Sequence, residues 1–197
     1  MRTGNTKERL LEAALDLFSI KGYEGTSVEE IAKRVGIKAP SIYDHYKGKE
    51  AILQAISERA DEEYTRGMEL RRAKAETIRT KEDLREYALR SIGFTINNEI
   101  AKKLRRMITI EQFRNKVFSE RTTKHQITLF QSIYADIFRK MMEDGLMIKA
   151  NPEVVALEYT APVTVLIQLC DRDPERIEEV MKTVEDHLDI FLERYFV

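Results

Sequence analysis

Apolar side chains recur at helical intervals along nearly the whole chain. Leu10, Leu11, Ala14, Leu17 and Phe18 line one face of a segment spanning 7–21. Gly22 follows at the place where a helix ends in a left-handed residue. Thr26 and Ser27 then precede Glu29 and Glu30, and either hydroxyl can cap a helix with an acid three positions on. Val28, Ile31, Ala32 and Val35 give this short helix a buried face, and Gly36 breaks it. Residues 39–45 have room for only about two turns. Lys47-Gly48 interrupts the chain again, and a longer helix begins near Lys49, with Leu53, Ile56, Ala60 and Tyr64 on its apolar side.

The rest also reads as helix. The basic, polar stretch 71–83 suits a solvated helix end and loop. Leu84, Tyr87, Ala88, Ser91, Ile92 and Thr95 predict a helix, and another runs about 100–113. Ile127, Phe130, Tyr134, Ile137, Phe138 and Met141 mark a long one ending near Gly145. Asn151-Pro152-Glu153 and Asp173-Pro174-Glu175 each place a cap before a proline at the first helical position. Pro162 should kink the helix between them or free the carbonyl of Glu158. The pattern predicts an all-α chain of about nine helices, divided into residues 1–48 and 49–197.

Three short helices with a glycine-containing turn between the second and third form the helix-turn-helix arrangement. The run Phe18…Lys21-Gly22-Tyr23…Thr26-Ser27-Val28…Ile31-Ala32…Val35-Gly36-Ile37, followed by Ile42-Tyr43-Asp44-His45-Tyr46-Lys47-Gly48-Lys49-Glu50, resembles the DNA-binding head of the bacterial TetR family. The resemblance covers roughly residues 7–53, in order and with family-like spacing. It implies a homodimeric transcriptional regulator, a repressor by family habit, whose C-terminal helical domain dimerises and binds a small effector. The expected partners are a palindromic double-stranded operator, a small-molecule effector and a second copy of the chain.

Charge alone would not have suggested DNA. The 197 residues carry a net charge of −1. Residues 1–49 hold nine Lys/Arg against seven Asp/Glu, a net +2, while the remainder holds 24 against 27, a net −3. The asymmetry has the right sign for a DNA-reading head but is small, so the position of charge carries the argument. Glycine (8) and proline (4) are scarce, which favours helices over a turn-rich β fold. The lone Cys170 cannot form an intrachain disulfide. The N-terminus is polar, and no stretch approaches about 18 uninterrupted apolar residues. A cytoplasmic protein without a membrane span is expected.

The candidate DNA contacts are Thr26, Lys38, Ala39, Pro40, Ser41, Tyr43, His45 and Lys49. Ala39 or Pro40 can meet a thymine methyl, and Ser41 can bond several base edges. Lys38 and Lys49 each sit at a predicted helix N-terminus, where a cation is disfavoured by about 0.3–1 kcal/mol unless an anion arrives. They are either phosphate ligands or solvated lysines. Family resemblance makes Tyr43 and His45 phosphate binders and Tyr46 the core plug. Thr26 can cap its helix and approach a phosphate through the amides around it. Lys38 departs from the usual Ser or Thr cap of the family, and Pro40 from a frequent Gly, which leaves base specificity open.

An effector cavity, on the same resemblance, would draw on Phe94, Met107, Glu111, Phe130, Tyr134, Phe138, Tyr159 and Val163. Large aromatics with a few polar groups make a cavity, and they also make any helical core. The stripe Ile177, Val180, Met181, Val184, Leu188, Phe191, Leu192 and Tyr195 serves either as a dimer face or as an intrachain core face. No cofactor or metal is expected: His45, His125 and His187 lie in no ligand spacing, and no phosphate loop or nucleophile elbow appears. Two rival readings remain. A TetR-shaped interaction module without operator binding is opposed by Tyr43, His45 and Lys49. A helical enzyme using the C-terminal cavity is opposed by the missing motifs.

Overall fold

The computed structural model describes residues 6–114 and 116–197, with the backbone alone at 63–72, 74, 75 and 117. The first five residues of the polar start and the side chain of Tyr64 lie outside the described set. Among the described residues there are nine α-helices: α1 (Thr6–Lys21), α2 (Val28–Val35), α3 (Lys49–Ala75), α4 (Lys81–Asn97), α5 (Glu99–Glu111), α6 (Lys116–Thr123), α7 (Leu129–Glu143), α8 (Pro152–Arg172) and α9 (Ile177–Tyr195). A 3-10 turn at Ala39–Ile42 stands between α2 and α3. A π-turn at Lys124–Thr128 joins α6 to α7. The described residues are all-α, with one isolated bridge among them, between Met147 and Phe196.

The residues group into two compact units. The first takes the chain as far as Gly67 together with Lys103–Glu120, and the second takes Met68–Lys102 with Arg121–Val197. The head is therefore not closed by residues 1–48. The second half of α5 belongs to it: Met107, Ile108 and Phe118 are buried in one cluster with Leu10, Ala14, Phe18, Ile31, Ile42, Tyr46 and Ile52, and Leu104 packs against it. A 48-residue stretch buries little apolar surface by itself, and this fourth wall completes its core.

In the second unit α8 packs against α7, α9 and α4. Rings fill the centre. Tyr134 and Tyr159 lie 4.3 Å apart between centroids, and Phe138 and Phe191 surround them within 5.7 Å. The two tyrosine hydroxyls meet at 3.3 Å, which gives each buried O–H a polar neighbour. Val180, Val184, Leu188, Phe191, Leu192 and Tyr195 of α9 are all buried, with Ile177 and Met181 half-buried. The α9 stripe is thus an intrachain core face, and its reading as a dimer face is withdrawn.

Among the described residues an apolar face left open lies on α8. Val154, Leu157, Ala161 and Val165 follow one another at intervals of three and four residues and are all exposed. By length and composition α8 is apolar enough to cross a membrane, although no such stretch was expected, and a third (33%) of its apolar window is buried inside the chain. Both properties have one cause: α8 is greasy on two flanks, and only one faces the core. The helix runs through Pro162, rather than ending there.

Candidate nucleic-acid interface

The corner between α1 and α2 is built by local rules. Gly22 takes φ 76, and its N–H donates to the Phe18 carbonyl at 3.0 Å, ending α1. Ser27, in extended conformation, is the N-cap of α2. Its Oγ accepts the Glu30 N–H at 3.2 Å, and a Glu30 carboxylate oxygen accepts the Ser27 N–H at 2.9 Å. This capping box contributes about 1 kcal/mol. The cap is Ser27 and not Thr26. Thr26 is only 2% exposed, and its hydroxyl donates to the Gly22 carbonyl at 2.9 Å. It shapes the corner, and its side chain is not presented to a phosphate.

Lys21 pairs with Glu30, and this hydrogen bond, with the Ser27 amide, holds the Glu30 carboxyl at about 2, well below its ordinary 4.5. A depressed acid contributes stability above its ordinary value and loses it as pH falls through the folded one. The grip on α2 is therefore expected to be complete above pH 4.5 and to fade toward pH 2. Titration of the Glu30 carboxyl carbon by NMR checks this; an ordinary midpoint near 4.5 would show that the pair does not form in solution.

At its far end α2 stops at Gly36, φ 79, with Gly36 and Ile37 both donating to the Ala32 carbonyl at 3.0 Å. Arg9 from α1 reaches the last carbonyl of α2, Nη2 to the Val35 oxygen at 2.6 Å, placing a cation at the negative helix end. The reading segment follows. The expected two-turn helix is a 3-10 turn: Ser41 N–H bonds Lys38 at 2.9 Å, Tyr43 bonds Pro40 at 3.1 Å and His45 bonds Ile42 at 2.9 Å. Pro40 falls in its first turn, where a missing N–H is no loss.

The side chains of this turn divide cleanly. Ile42 and Tyr46 are buried, and the Tyr46 hydroxyl approaches the Lys7 carbonyl at 3.5 Å. Lys38, Pro40, Tyr43, Asp44 and His45 are exposed, with Ala39 and Ser41 half-buried. Tyr43 keeps 62% of its surface open, which a core tyrosine would not. Lys49 is turned inward: Nζ donates to the Tyr23 carbonyl at 2.7 Å and stands 4.2 Å from the centroid of the Tyr23 ring. An ammonium has three donors, and this bond uses one.

The residues expected to make an effector site do not assemble into one group. Met107 and Glu111 belong to the first unit, Met107 in the core of the head and Glu111 bonded to the backbone of Tyr23 at 2.8 Å. Phe94 lies 62% exposed on α4. Phe130 meets Tyr134 edge-on at 5.1 Å; Tyr134, Phe138, Tyr159 and Val163 are buried in the second unit. Phe191 and His187 of α9 join this ring cluster, His187 stacked on Tyr159 with Nε2 at 3.2 Å from the Tyr159 carbonyl. Sequence reading placed neither there, because α9 alone shows only an amphipathic stripe.

Comparison with known proteins places this geometry. Residues 10–56 match the model of bacterial regulatory proteins, tetR family. The chain is 24% identical over 192 residues to the helix-turn-helix transcriptional regulator YttP of Bacillus subtilis (strain 168), covering 98% of this chain and 89% of that protein. It is 48% identical over 48 residues to IcaR of Staphylococcus epidermidis, a negative transcriptional regulator of the biofilm operon icaADBC, a match spanning about a quarter of each protein (24% and 26%). Its fold superposes on that of SmeT of Stenotrophomonas maltophilia, solved with triclosan, with a TM-score of 0.72 and 23% identity over 98% of this chain and 93% of that one. By its head, over residues 10–56, the chain matches the tetR family of bacterial regulatory proteins, and over nearly its whole length it shares the fold of SmeT.

Proposed function

We propose that the chain is a sequence-specific DNA-binding transcriptional repressor that acts as a homodimer on a palindromic operator and responds to a small-molecule effector. The observation that carries this is the split of the 3-10 turn, with Ile42 and Tyr46 anchored in the core and Lys38, Pro40, Tyr43 and His45 turned outward. A rigid turn with an apolar, hydroxyl and cationic outer face can hold phosphates with one set of side chains and meet base edges with another. Ala39, Pro40 and Ser41 are the base-reading positions in this proposal. Lys38, Tyr43, His45 and Lys49 are the phosphate ligands, Lys49 through the donors its bond to Tyr23 leaves over.

One four-residue turn offers few base contacts, so a second head on a two-fold axis is needed for specificity. The exposed stripe of α8 supplies the meeting face: a second copy covers Val154, Leu157, Ala161 and Val165 with its own identical stripe, as an isologous contact requires. Effector binding belongs to the second unit. SmeT, of like fold, has been solved with triclosan, and the Phe130–Tyr134–Tyr159 cluster combines aromatic faces with hydroxyls. Such a ligand shifts DNA affinity only by its preference between the two states.

Selection from random duplex DNA, followed by salt titration, tests the reading. A two-fold symmetric winner with a steep salt slope is expected. Lys49→Ala is then expected to weaken binding to all sequences and to flatten the slope by about one unit per head. An unchanged slope would remove Lys49 from the phosphate contacts, and weak binding to every duplex would favour the interaction-module reading instead.

A further inference from the structure

Glu111 is a buried acid that the DNA-reading surface does not use. It closes α5, is 2% exposed, and lies within the first unit. Removing a carboxylate from water costs several kcal/mol unless it is hydrogen-bonded. The neighbouring inward positions of α5, Leu104, Met107 and Ile108, are apolar. Folding alone would favour another apolar residue here.

What the acid does is visible at the α1–α2 corner. Its Oε1 accepts the Tyr23 N–H at 2.8 Å, a donor that lies past the end of α1 and outside α2. The same oxygen stands 2.5 Å from where a Cβ on Gly22 would be, so the acid fills the space that the glycine leaves. Tyr23 is then held from several sides. Glu111 takes its N–H, Lys49 Nζ donates to its carbonyl at 2.7 Å and covers its ring, and Phe18 meets the ring edge-on at 5.5 Å. Lys49 is the first residue of α3, just beyond the reading turn. A second tie holds the same helix nearer its start: Lys103 pairs with Asp16 of α1, and Asp16 also takes Arg34 of α2 at 3.0 Å. The two ties are eight residues, about 12 Å, apart along the helix.

We propose that Glu111 is a positioning residue for DNA binding: from a helix outside the helix-turn-helix segment, its carboxylate fixes Tyr23, and through Tyr23 the first residue of α3. The inference rests on the DNA-binding reading. It gives the carboxylate a role other than effector contact.

The test compares wild type, Glu111→Gln and Glu111→Ala as full chains. Two quantities are read: exchange of the Tyr23 amide hydrogen by NMR, and affinity for the duplex selected by the wild type. Protection of the amide and affinity are expected to fall together in the order Glu, Gln, Ala. In Glu111→Ala the amide should exchange at least about tenfold faster and affinity should drop about 10- to 100-fold, the range for losing a bond to a charged acceptor. Gln keeps an acceptor oxygen and should recover part of each. A variant with a fast-exchanging Tyr23 amide and undiminished affinity overturns the proposal, and so does lost affinity with the amide still protected. If Glu111→Ala does not fold, the Gln variant carries the same comparison. Failure of the wild type to bind any duplex would sink the DNA reading and this role with it, while Tyr23 exchange would still show whether the grip exists.

Discussion

Gly22→Ala is expected to destabilise the first unit by about 2–4 kcal/mol, the sum of a left-handed backbone cost and an overpacking cost. Gly22 holds φ 76, where an L side chain is strained. A Cβ there would also stand 2.5 Å from the Glu111 carboxylate and 3.0 Å from the Ile110 side chain. The carboxylate has no easy retreat, since it is held by the Tyr23 amide. At about 2–4 °C per kcal/mol for a chain of this size, the melting temperature should fall by roughly 5–15 °C. The double variant Gly22→Ala/Glu111→Ala separates the two causes. It removes the steric part and leaves the backbone part, so their coupling should be favourable by about 1 kcal/mol or more. A drop of only a degree or two for Gly22→Ala would mean that the corner is looser in solution than the hydrogen-bonded arrangement requires.

The second large effect concerns assembly and not folding. Leu157→Lys with Val165→Lys should leave the monomer nearly as stable as before, within about 0.5 kcal/mol, because both positions are already open (49% and 65% exposed). In a dimer closed by α8 the same ammonium groups would face their own images across an apolar contact, unpaired. Sedimentation should therefore show monomers at concentrations where the wild type is dimeric. Operator affinity should fall about 100- to 10,000-fold, since two linked half-site contacts become two independent ones. A variant that remains dimeric would move the interface off this face. The opposite change on α9, Leu188→Lys, should unfold the chain, because Leu188 is part of the core.

The head was legible in sequence because its signals are local. Gly22, the Ser27–Glu30 box and Gly36 each specify a backbone conformation within four residues, and such rules need no partner. The inward and outward division at Tyr46 and Tyr43 came with the family resemblance. What sequence could not supply was pairing over distance. Tyr23 and Glu111 are 88 residues apart, and no periodicity in α5 reports that its acid faces a turn near the N-terminus. The α9 stripe failed for a related reason. A face of Val, Leu and Phe at helical spacing is the same pattern whether it is covered by its own chain or by another, and only the location of Phe191 among the rings of Tyr159 and Phe138 decides between them. The 3-10 turn escaped because four residues hold too little periodicity to separate helix types.

The assembly of the first unit from two stretches of chain bears on how such regulators can be recombined. A chimera that carries residues 1–50 onto a foreign body would bring the corner, the cap and the reading turn but leave behind Met107, Ile108, Phe118 and the Tyr23 acceptor. The transplanted piece would keep its DNA-facing vocabulary while losing its back wall. Specificity in this chain is therefore portable only with the segment 103–120, which ties the reading surface to the very helix, α5, whose other end lies in the second unit.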